Sequence, residues 1–228
     1  VLCHQNHLFT ASTAAGPALE GNGLSHGCPA IPGAISDVSL RGVVPRIQTI
    51  ANKLPAGICG SGAISTLAEL LSQHYIHADG TLTEKFPKNG ILLARSKETV
   101  ISFSINDVRQ MQLAIAAIAA GIDTLCHEAG ISPDKVDSLY LAGGLGYSIS
   151  LEKASLLGMF CSIRPERIHC VGNSCLNGLA ELSEDFSNLQ QFVSHVKKHT
   201  TDISLADNSY FQSSYLAHMS YEHSETTA

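Results

Sequence analysis

The sequence has no excess of positive charge, and this absence excludes several classes of protein. Its formal net charge is -6 at pH 7 and its pI is near 6.0. Nucleic acids and anionic membranes attract basic surfaces, so we expect neither as a partner. No apolar run approaches the roughly 20 residues that a membrane-spanning helix needs, and no signal peptide is visible at the start.

Paired cysteine motifs are absent as well. The seven cysteines are scattered along the chain, and none forms a C-x-x-C pair. An odd, scattered count indicates reduced thiols, so we expect a cytoplasmic protein. The neighbours Cys126-His127 and His169-Cys170 do not favour a metal site, because adjacent residues of a strand point to opposite faces. We therefore predict no metal site, and these residues suggest no catalytic group.

What the sequence does contain is enough apolar material for a sizeable core. Hydrophobic residues make up 44% of the 228 positions, which is ordinary for a globular protein. The length suits one large domain or two small ones. The chain begins with a strand-like segment, Val1–Cys3, rather than with methionine. We expect it to begin inside a longer protein.

Apolar periodicity and turn residues predict an α/β protein. Strands alternate with helices from residue 99 onward, which indicates a sheet with at least two parallel neighbours. The predicted strands are Val1–Cys3, Leu8–Ser12, Ala34–Leu40, Val43–Thr49, Gly90–Arg95, Thr99–Phe103, one within Val136–Ala142, Arg167–Val171 and Asp202–Leu205. The predicted helices run from Gly60 to near His74, from Ser104 to about His127, and over Leu151–Met159, Leu176–Leu182, Phe186–Lys197 and Ser209–Met219.

A glycine turn follows the strand within Val136–Ala142. Gly143, Gly144 and Gly146 stand between that strand and a helix, where the backbone can approach a phosphate or ribose group without interference from Cβ. A tight strand-to-helix turn without a ligand explains the same residues. Asn173 follows the next predicted strand. Because ligands gather beyond the carboxyl ends of parallel strands, we expect these two turns to converge.

Two other segments with small residues allow two interpretations each. Pro17 follows small residues at the first turn of a helix, which is typical of an anion site or of a short capped helix in a loop. Gly60-Ser61-Gly62 opens a helix and indicates either a ligand-facing entrance or close packing against a neighbouring backbone. A serine nucleophile is not favoured, because its motif needs glycines two residues to either side.

Five segments taken in order resemble a known family. They are 12–21 (Ser-Thr-Ala-Ala-Gly-Pro-Ala-Leu-Glu-Gly), 57–62 (Gly-Ile-Cys-Gly-Ser-Gly), 108–114 (Val-Arg-Gln-Met-Gln-Leu-Ala), 141–146 (Leu-Ala-Gly-Gly-Leu-Gly) and 171–173 (Val-Gly-Asn). Together they are similar to the carboxyl-terminal domain of the reductive activators of corrinoid proteins, within the actin, sugar-kinase and heat-shock-chaperone ATPase superfamily. The resemblance covers nearly the whole chain.

The resemblance implies a ribonuclease-H-like (actin-like ATPase) lobe with a mixed sheet flanked by helices. It implies a second lobe at 1–221, with an inserted subdomain at about 34–105, and a flexible tail at 222–228. In the family, two lobes bind ATP with Mg²⁺ between them, and an amino-terminal [2Fe–2S] domain supplies electrons. ATP hydrolysis drives the reduction of a Co(II) corrinoid protein to the Co(I) form used by methyltransferases.

This chain would accordingly be a fragment that supplies one wall of the nucleotide cleft. Its partners would be the missing first ATPase lobe and a corrinoid protein, and the [2Fe–2S] cluster would lie only in the missing amino-terminal part. The residues that the resemblance assigns to the wall are Gly143, Gly144 and Gly146 (nucleoside and α-phosphate), Ala15, Gly16 and Glu20 (phosphates or Mg²⁺), Gly60, Ser61 and Gly62 (adenosine side), Gln110 and Gln112 (polar cleft contacts), and Asn173 (the last glycine-asparagine turn).

Some positions depart from the family's pattern and leave alternatives open. The family's phosphate hairpin is absent, and after Gly146 the chain has Tyr147-Ser148 where the family tends to have Asn-Tyr. One alternative is a non-catalytic interaction domain of the same fold. Another is an activator of an acyl-CoA dehydratase, although the spacing of Cys161 and Cys175 does not favour its bridged cluster. We expect the fragment alone neither to hydrolyse ATP nor to bind it tightly, because phosphoryl chemistry needs groups from both walls.

Overall fold

The computed structural model describes residues 1–41, 44–96, 99–184 and 186–221, without the side chains of 147, 184 and 186–188. The start of the strand predicted at Val43 and the tail predicted at 222–228 lie outside the described residues. Within the described part, none of the helices combines the length and the apolar character that a membrane span requires.

The described residues form ten strands and six α-helices. The strands are β1 Leu2–His4, β2 His7–Ala11, β3 Ala34–Ser39, β4 Arg46–Thr49, β5 Gly57–Ile58, β6 Ile91–Arg95, β7 Val100–Phe103, β8 Leu139–Ala142, β9 Ile168–Gly172 and β10 Thr200–Ile203. The helices are α1 Gly60–Ser72, α2 Ile105–Glu128, α3 Leu151–Leu156, α4 Ser174–Glu184, α5 Phe186–Lys198 and α6 Ser209–Ala217.

The predicted elements are confirmed, with shifted ends. Helix α3, for example, was predicted to reach Met159 but ends at Leu156. The reason is Gly158, whose φ of +73° is the left-handed conformation that commonly ends a helix. The helix predicted after Pro17 is a single 3₁₀ turn at Ala18–Glu20, which corresponds to the short helix in a loop.

Hydrogen bonding divides the strands among small sheets. Their orders are β1-β2-β10, β4-β3-β5, β6-β7 and β8-β9. The pairs β2/β10, β3/β5 and β8/β9 are parallel, and the other pairs are antiparallel. The prediction of a mixed α/β fold is confirmed.

Helix α2 lies at the centre of the chain and begins at a complete capping box. The Ser104 hydroxyl accepts from the Asp107 backbone N–H, and the Asp107 carboxylate accepts from the Ser104 N–H at 2.7 Å. Small residues in the middle of α2 let other elements approach closely. A Cβ at Gly121, for example, would lie 2.6 Å from Thr13 Oγ1.

One continuous core joins the predicted inserted subdomain to the rest of the chain. Ile35, Ile64 and Phe103, from within 34–105, are fully buried together with Phe160 and the nearly buried Ile168. The division into a lobe and an inserted subdomain therefore stays a prediction.

A groove of about 560 Å³ separates β1 from β8. Residues of β1, including Leu2 and His4, line one side, and Leu139 and Tyr140 of β8 line the other. Ile122 and other apolar residues contribute to its lining. Among the described strands, β1 pairs only with β2 and β8 only with β9, so each of the two has an unpaired edge.

Candidate functional site

The glycine turn after β8 lies beside the end of β9. In the parallel pair, Ala142 stands opposite Gly172, and the Gly143 backbone N–H donates to the Gly172 carbonyl oxygen at 2.7 Å. Asn173 follows directly. The predicted convergence of the two turns at the carboxyl ends of adjacent strands is confirmed.

The backbone of this turn is open to solvent at two of its glycines. Gly143 and Gly144 are exposed, and no atom lies within 4 Å of the position that a Cβ would take at either residue. Gly143 has a φ of +93°, which side-chain-bearing residues rarely adopt. A ligand can therefore reach the backbone here.

Gly146 and Asn173 are engaged in local structure. Gly146 is buried, and a Cβ there would lie 3.1 Å from the Leu141 carbonyl oxygen, so this glycine permits the turn to fold back on its strand. The exposed Asn173 accepts a hydrogen bond on Oδ1 from the Leu176 N–H at 3.1 Å and so caps the start of α4. Whether either contacts a nucleotide stays a prediction.

The loop that contains Ala15, Gly16 and Glu20 is accessible. Gly16 and Glu20 are exposed, Ala15 is half-buried, and nothing lies within 4 Å of a Cβ at Gly16. Gly16 has a φ of +73°, in the left-handed region that favours glycine, so the backbone conformation by itself explains why a glycine occupies this position. The loop's predicted role beside the phosphates stays a prediction.

The glycines at the start of α1 are packing residues. Gly60, Ser61 and Gly62 are all buried. A Cβ at Gly60 would lie 1.9 Å from the Leu19 carbonyl oxygen, and one at Gly62 would lie 2.0 Å from the Ile35 carbonyl oxygen. Close approach to neighbouring backbone thus accounts for both glycines, and their contact with adenosine stays a prediction.

The two glutamines of α2 have different surroundings. Gln110 is exposed. The Gln112 side chain is buried; its Nε2 donates to the carbonyl oxygens of Asp79, at 3.0 Å, and Met219, at 2.5 Å. Gln112 therefore holds the turn at Asp79 and the end of the described chain. The predicted cleft contacts of both residues stay untested.

A lysine-centred cluster follows the glycine turn, and sequence reasoning did not identify it. Lys153 Nζ, on α3, donates to Asp37 Oδ1 at 2.7 Å, to the Val38 carbonyl oxygen at 2.7 Å and to Ser65 Oγ at 2.6 Å. Glu69 Oε1 lies 3.7 Å from the same ammonium. A hint in the sequence was the pair Ser65 and Glu69, polar residues four apart on α1.

Charge pairing stabilises the ionised carboxylate in this cluster. Burial by itself would raise the pKa of Asp37, but hydrogen bonds from Lys153 and Ser65 outweigh it and hold that pKa below its ordinary value. Glu69 Oε2 accepts from the Leu40 backbone N–H at 2.9 Å. The cluster thus ties α3 to β3 and α1 through charge-assisted hydrogen bonds.

The cysteines near α2 are poor candidates for metal ligands or nucleophiles. Burial raises the pKa of Cys126 to about 11 and raises that of Cys161 further. The Cys161 thiol donates to the Ala119 carbonyl oxygen at 3.2 Å. Over the part of the chain that the structure describes, no three His, Cys, Asp or Glu side chains group closely enough to hold a metal ion.

A protein-family model matches the whole of this architecture. The model is described as the C-terminal domain of RACo, the ASKHA domain, and it matches residues 1–228. The chain belongs to this family. Its members share the superfamily fold of the actin-like ATPases that the resemblance implied.

Curated relatives and a solved structure agree with the family. The chain is 33% identical over 241 residues to the "[Co(II) methylated amine-specific corrinoid protein] reductase" of Methanosarcina barkeri, covering 95% of this chain and 43% of that protein. It is 28% identical over 234 residues to the "Corrinoid activation enzyme RamQ" of Eubacterium limosum, covering 91% and 38%. The structure of a "Reductive activator for corrinoid,iron-sulfur protein" superposes with a TM-score of 0.81 at 28% identity.

The chain spans well under half the length of the proteins it matches. It covers 43% and 38% of the two curated relatives and 36% of the solved chain. The fold of this family domain is therefore shared along nearly the whole chain, whereas most of each relative lies outside the matched part.

Proposed function

We propose that this chain is the nucleotide-binding C-terminal domain of an ATP-dependent reductive activator of a corrinoid protein. The observation that carries the proposal is the open turn at Gly143 and Gly144, beside Asn173, in a domain of the RACo family. The names of the relatives, a corrinoid protein reductase and a corrinoid activation enzyme, support the substrate class.

In the complete protein, this domain supplies one wall of the nucleotide cleft. ATP with Mg²⁺, when bound between this wall and a first lobe, supplies the free energy for a one-electron reduction of the Co(II) corrinoid to Co(I). The electron comes from a [2Fe–2S] domain toward the amino terminus. Gly143 and Gly144 let the backbone approach the nucleoside and α-phosphate, and Gly16 does the same beside the other phosphates.

The proposal predicts that filling the open turn weakens nucleotide binding without unfolding the protein. Gly144→Leu adds a side chain where no atom lies within 4 Å and where φ is not in the left-handed region. We expect the variant of the complete activator to unfold at the wild-type temperature but to bind ATP at least about tenfold more weakly, a loss of about 1.4 kcal/mol. Isothermal titration calorimetry measures the affinity.

Gly178→Leu is the matched control, because Gly178 also has nothing within 4 Å of its Cβ position but lies on α4 rather than in the turn. We expect it to bind ATP like the wild type. Equal affinity of the Gly144→Leu variant and the wild type would contradict the assignment of this turn to the nucleotide.

A second candidate is a non-catalytic interaction domain of the same fold. Its support is a group of exposed apolar side chains on α4 and α5: Leu176 is 61% exposed, Leu179 65% and Phe192 51%. The same calorimetry separates the two, because an interaction domain would leave ATP without measurable binding in the complete protein. An open cleft at Gly143 favours a nucleotide, and a cleft plugged by the Tyr147 side chain favours an interaction domain; that side chain lies outside the described residues.

The third hypothesis, that the chain belongs to an activator of an acyl-CoA dehydratase, has less support. Both curated relatives are named for corrinoid proteins. Of the two cysteines considered as cluster ligands, Cys161 is held in a hydrogen bond to Ala119 with a raised pKa, whereas Cys175 is exposed on α4. A protonated, enclosed thiol is a poor ligand, because metals bind the thiolate.

A further inference from the structure

The glycine turn is open in its first half and packed in its second half. Gly143 and Gly144 are exposed and have no neighbour within 4 Å of their Cβ positions, whereas Leu145 packs against the core and Gly146 is buried. The position of the open half therefore depends on the packed half and on the elements at the two ends of the turn. These are β8, which precedes Gly143, and α3, which begins at Leu151.

The two ends are held in different ways. On the β8 side, parallel pairing with β9 and the hydrogen bond from Gly143 to Gly172 fix the backbone. On the other side, α3 has only six residues and is too short to be a stable helix by itself. Ala154 and Leu157 bury it in the core, but apolar burial is non-directional. A directional anchor is needed to set the orientation of α3.

Lys153 supplies that directional anchor. An ammonium group has three N–H donors, and Lys153 Nζ has three acceptors within 2.7 Å, on Asp37, Val38 and Ser65. Its side chain is only 21% exposed. The acceptors belong to β3 and α1, so the bonds cross from the helix after the turn to the two elements that pack beneath it.

The path from Lys153 back to the turn is short. The Ser150 hydroxyl accepts from the Lys153 backbone N–H at 3.3 Å and caps α3. The N–H groups of Ser148 and Ile149 both donate to the Leu145 carbonyl oxygen at 3.2 Å. Because these hydrogen bonds link α3 to the turn, a tilt or shift of α3 would also displace the turn.

We infer that Lys153 is a positioning residue of the nucleotide site, which fixes α3, and through it the glycine turn, against β3 and α1. The inference rests on the proposed function only for the identity of the ligand. The coupling of Lys153 to the turn is a property of the protein without ligand.

Lys153→Met tests the inference in the complete activator, because it keeps the aliphatic stem and removes the ammonium. We expect the dissociation constant for ATP to rise about tenfold, within the usual range of coupling between sites. We also expect faster amide hydrogen exchange at 143–149 in the nucleotide-free protein. Mass spectrometry measures the exchange and calorimetry the affinity.

Ser214→Ala is the control for a loss of stability elsewhere. Ser214 Oγ donates to Asp123 Oδ2 at 2.7 Å and joins α6 to α2, not to α3. It should lower the unfolding temperature without changing exchange at 143–149. Asp37→Asn weakens the hydrogen bond between Lys153 and Asp37 by changing its acceptor. This variant replaces Lys153→Met in the test if Lys153→Met does not fold.

A Lys153→Met or Asp37→Asn variant with wild-type exchange in the turn and wild-type ATP affinity, despite a lower unfolding temperature, would overturn the inference. If the wild-type activator itself binds no nucleotide, the proposed function fails. The exchange comparison without nucleotide then still decides whether Lys153 positions the turn.

Discussion

At the scale of single residues, the glycines of this chain have two different physical roles. Gly143, Gly144 and Gly16 leave open space, whereas Gly60 and Gly62 are required by backbone that passes within 2.0 Å of their missing Cβ atoms. Glycine in similar motifs thus leaves the backbone accessible in one place and permits close packing in another.

Gly62→Ala is predicted to destabilise the protein strongly. Its Cβ would lie 2.0 Å from the Ile35 carbonyl oxygen, and backbone cannot give way cheaply. Overpacking of this kind costs about 1–3 kcal/mol of the free energy of unfolding. Urea denaturation measures the loss. Gly178→Ala, in the open α4, should change stability by no more than about 1 kcal/mol, in the stabilising direction. Equal stabilities of the two variants would disprove the packing role.

The thiols are predicted to differ in reactivity at pH 8. The thiolate is the nucleophile, and a pKa of about 11 leaves Cys126 protonated at that pH, as the raised pKa does for Cys161. Cys3 and Cys175 are exposed. Iodoacetamide labelling followed by peptide mass spectrometry should modify Cys3 and Cys175 within minutes and leave Cys126 and Cys161 intact. Labelling of Cys161 as fast as Cys175 would contradict this.

At the scale of elements, α2 depends on its first turn. Ser104→Ala removes the hydroxyl that accepts from Asp107 and leaves the Asp107 carboxylate with fewer partners. We expect a loss of about 1 kcal/mol in the free energy of unfolding, measured by thermal or urea denaturation. Ser194→Ala, on the exposed face of α5, is the control and should stay within about 0.5 kcal/mol of the wild type. A Ser104→Ala variant as stable as this control would rule out the capping box.

Element boundaries could be predicted because their signals are local. The serine that caps α2 and the dipeptide turn between β1 and β2 are readable within a few residues. The meeting of the turns at Gly143 and Gly172 was also predictable, since parallel neighbours end at the same edge of a sheet. The Lys153 cluster was not, because its long side chain reaches residues up to 116 positions away in sequence. The bonds from Gln112 to Asp79 and Met219 were not predictable either, because these partners lie 33 and 107 positions away in sequence.

At the scale of the whole molecule, some helices bury their apolar side chains and others expose them to solvent. Helix α1 is almost wholly buried, whereas α4 and α5 expose Leu176, Leu179 and Phe192. The family match describes a C-terminal domain, and the chain covers 43% of a curated relative.

The groove between β1 and β8 has a consequence for the chain in solution. An unpaired strand edge is a template for strands of other molecules, and among the described strands β1 and β8 each present one at this groove. We expect the isolated chain to self-associate with rising concentration in sedimentation velocity. Tyr140→Lys, which places a charge at the 64% exposed position on β8, should reduce that association. Association unaffected by the lysine would show that another surface causes it. Strand addition at these edges would thus join separate copies of the isolated domain through backbone hydrogen bonds.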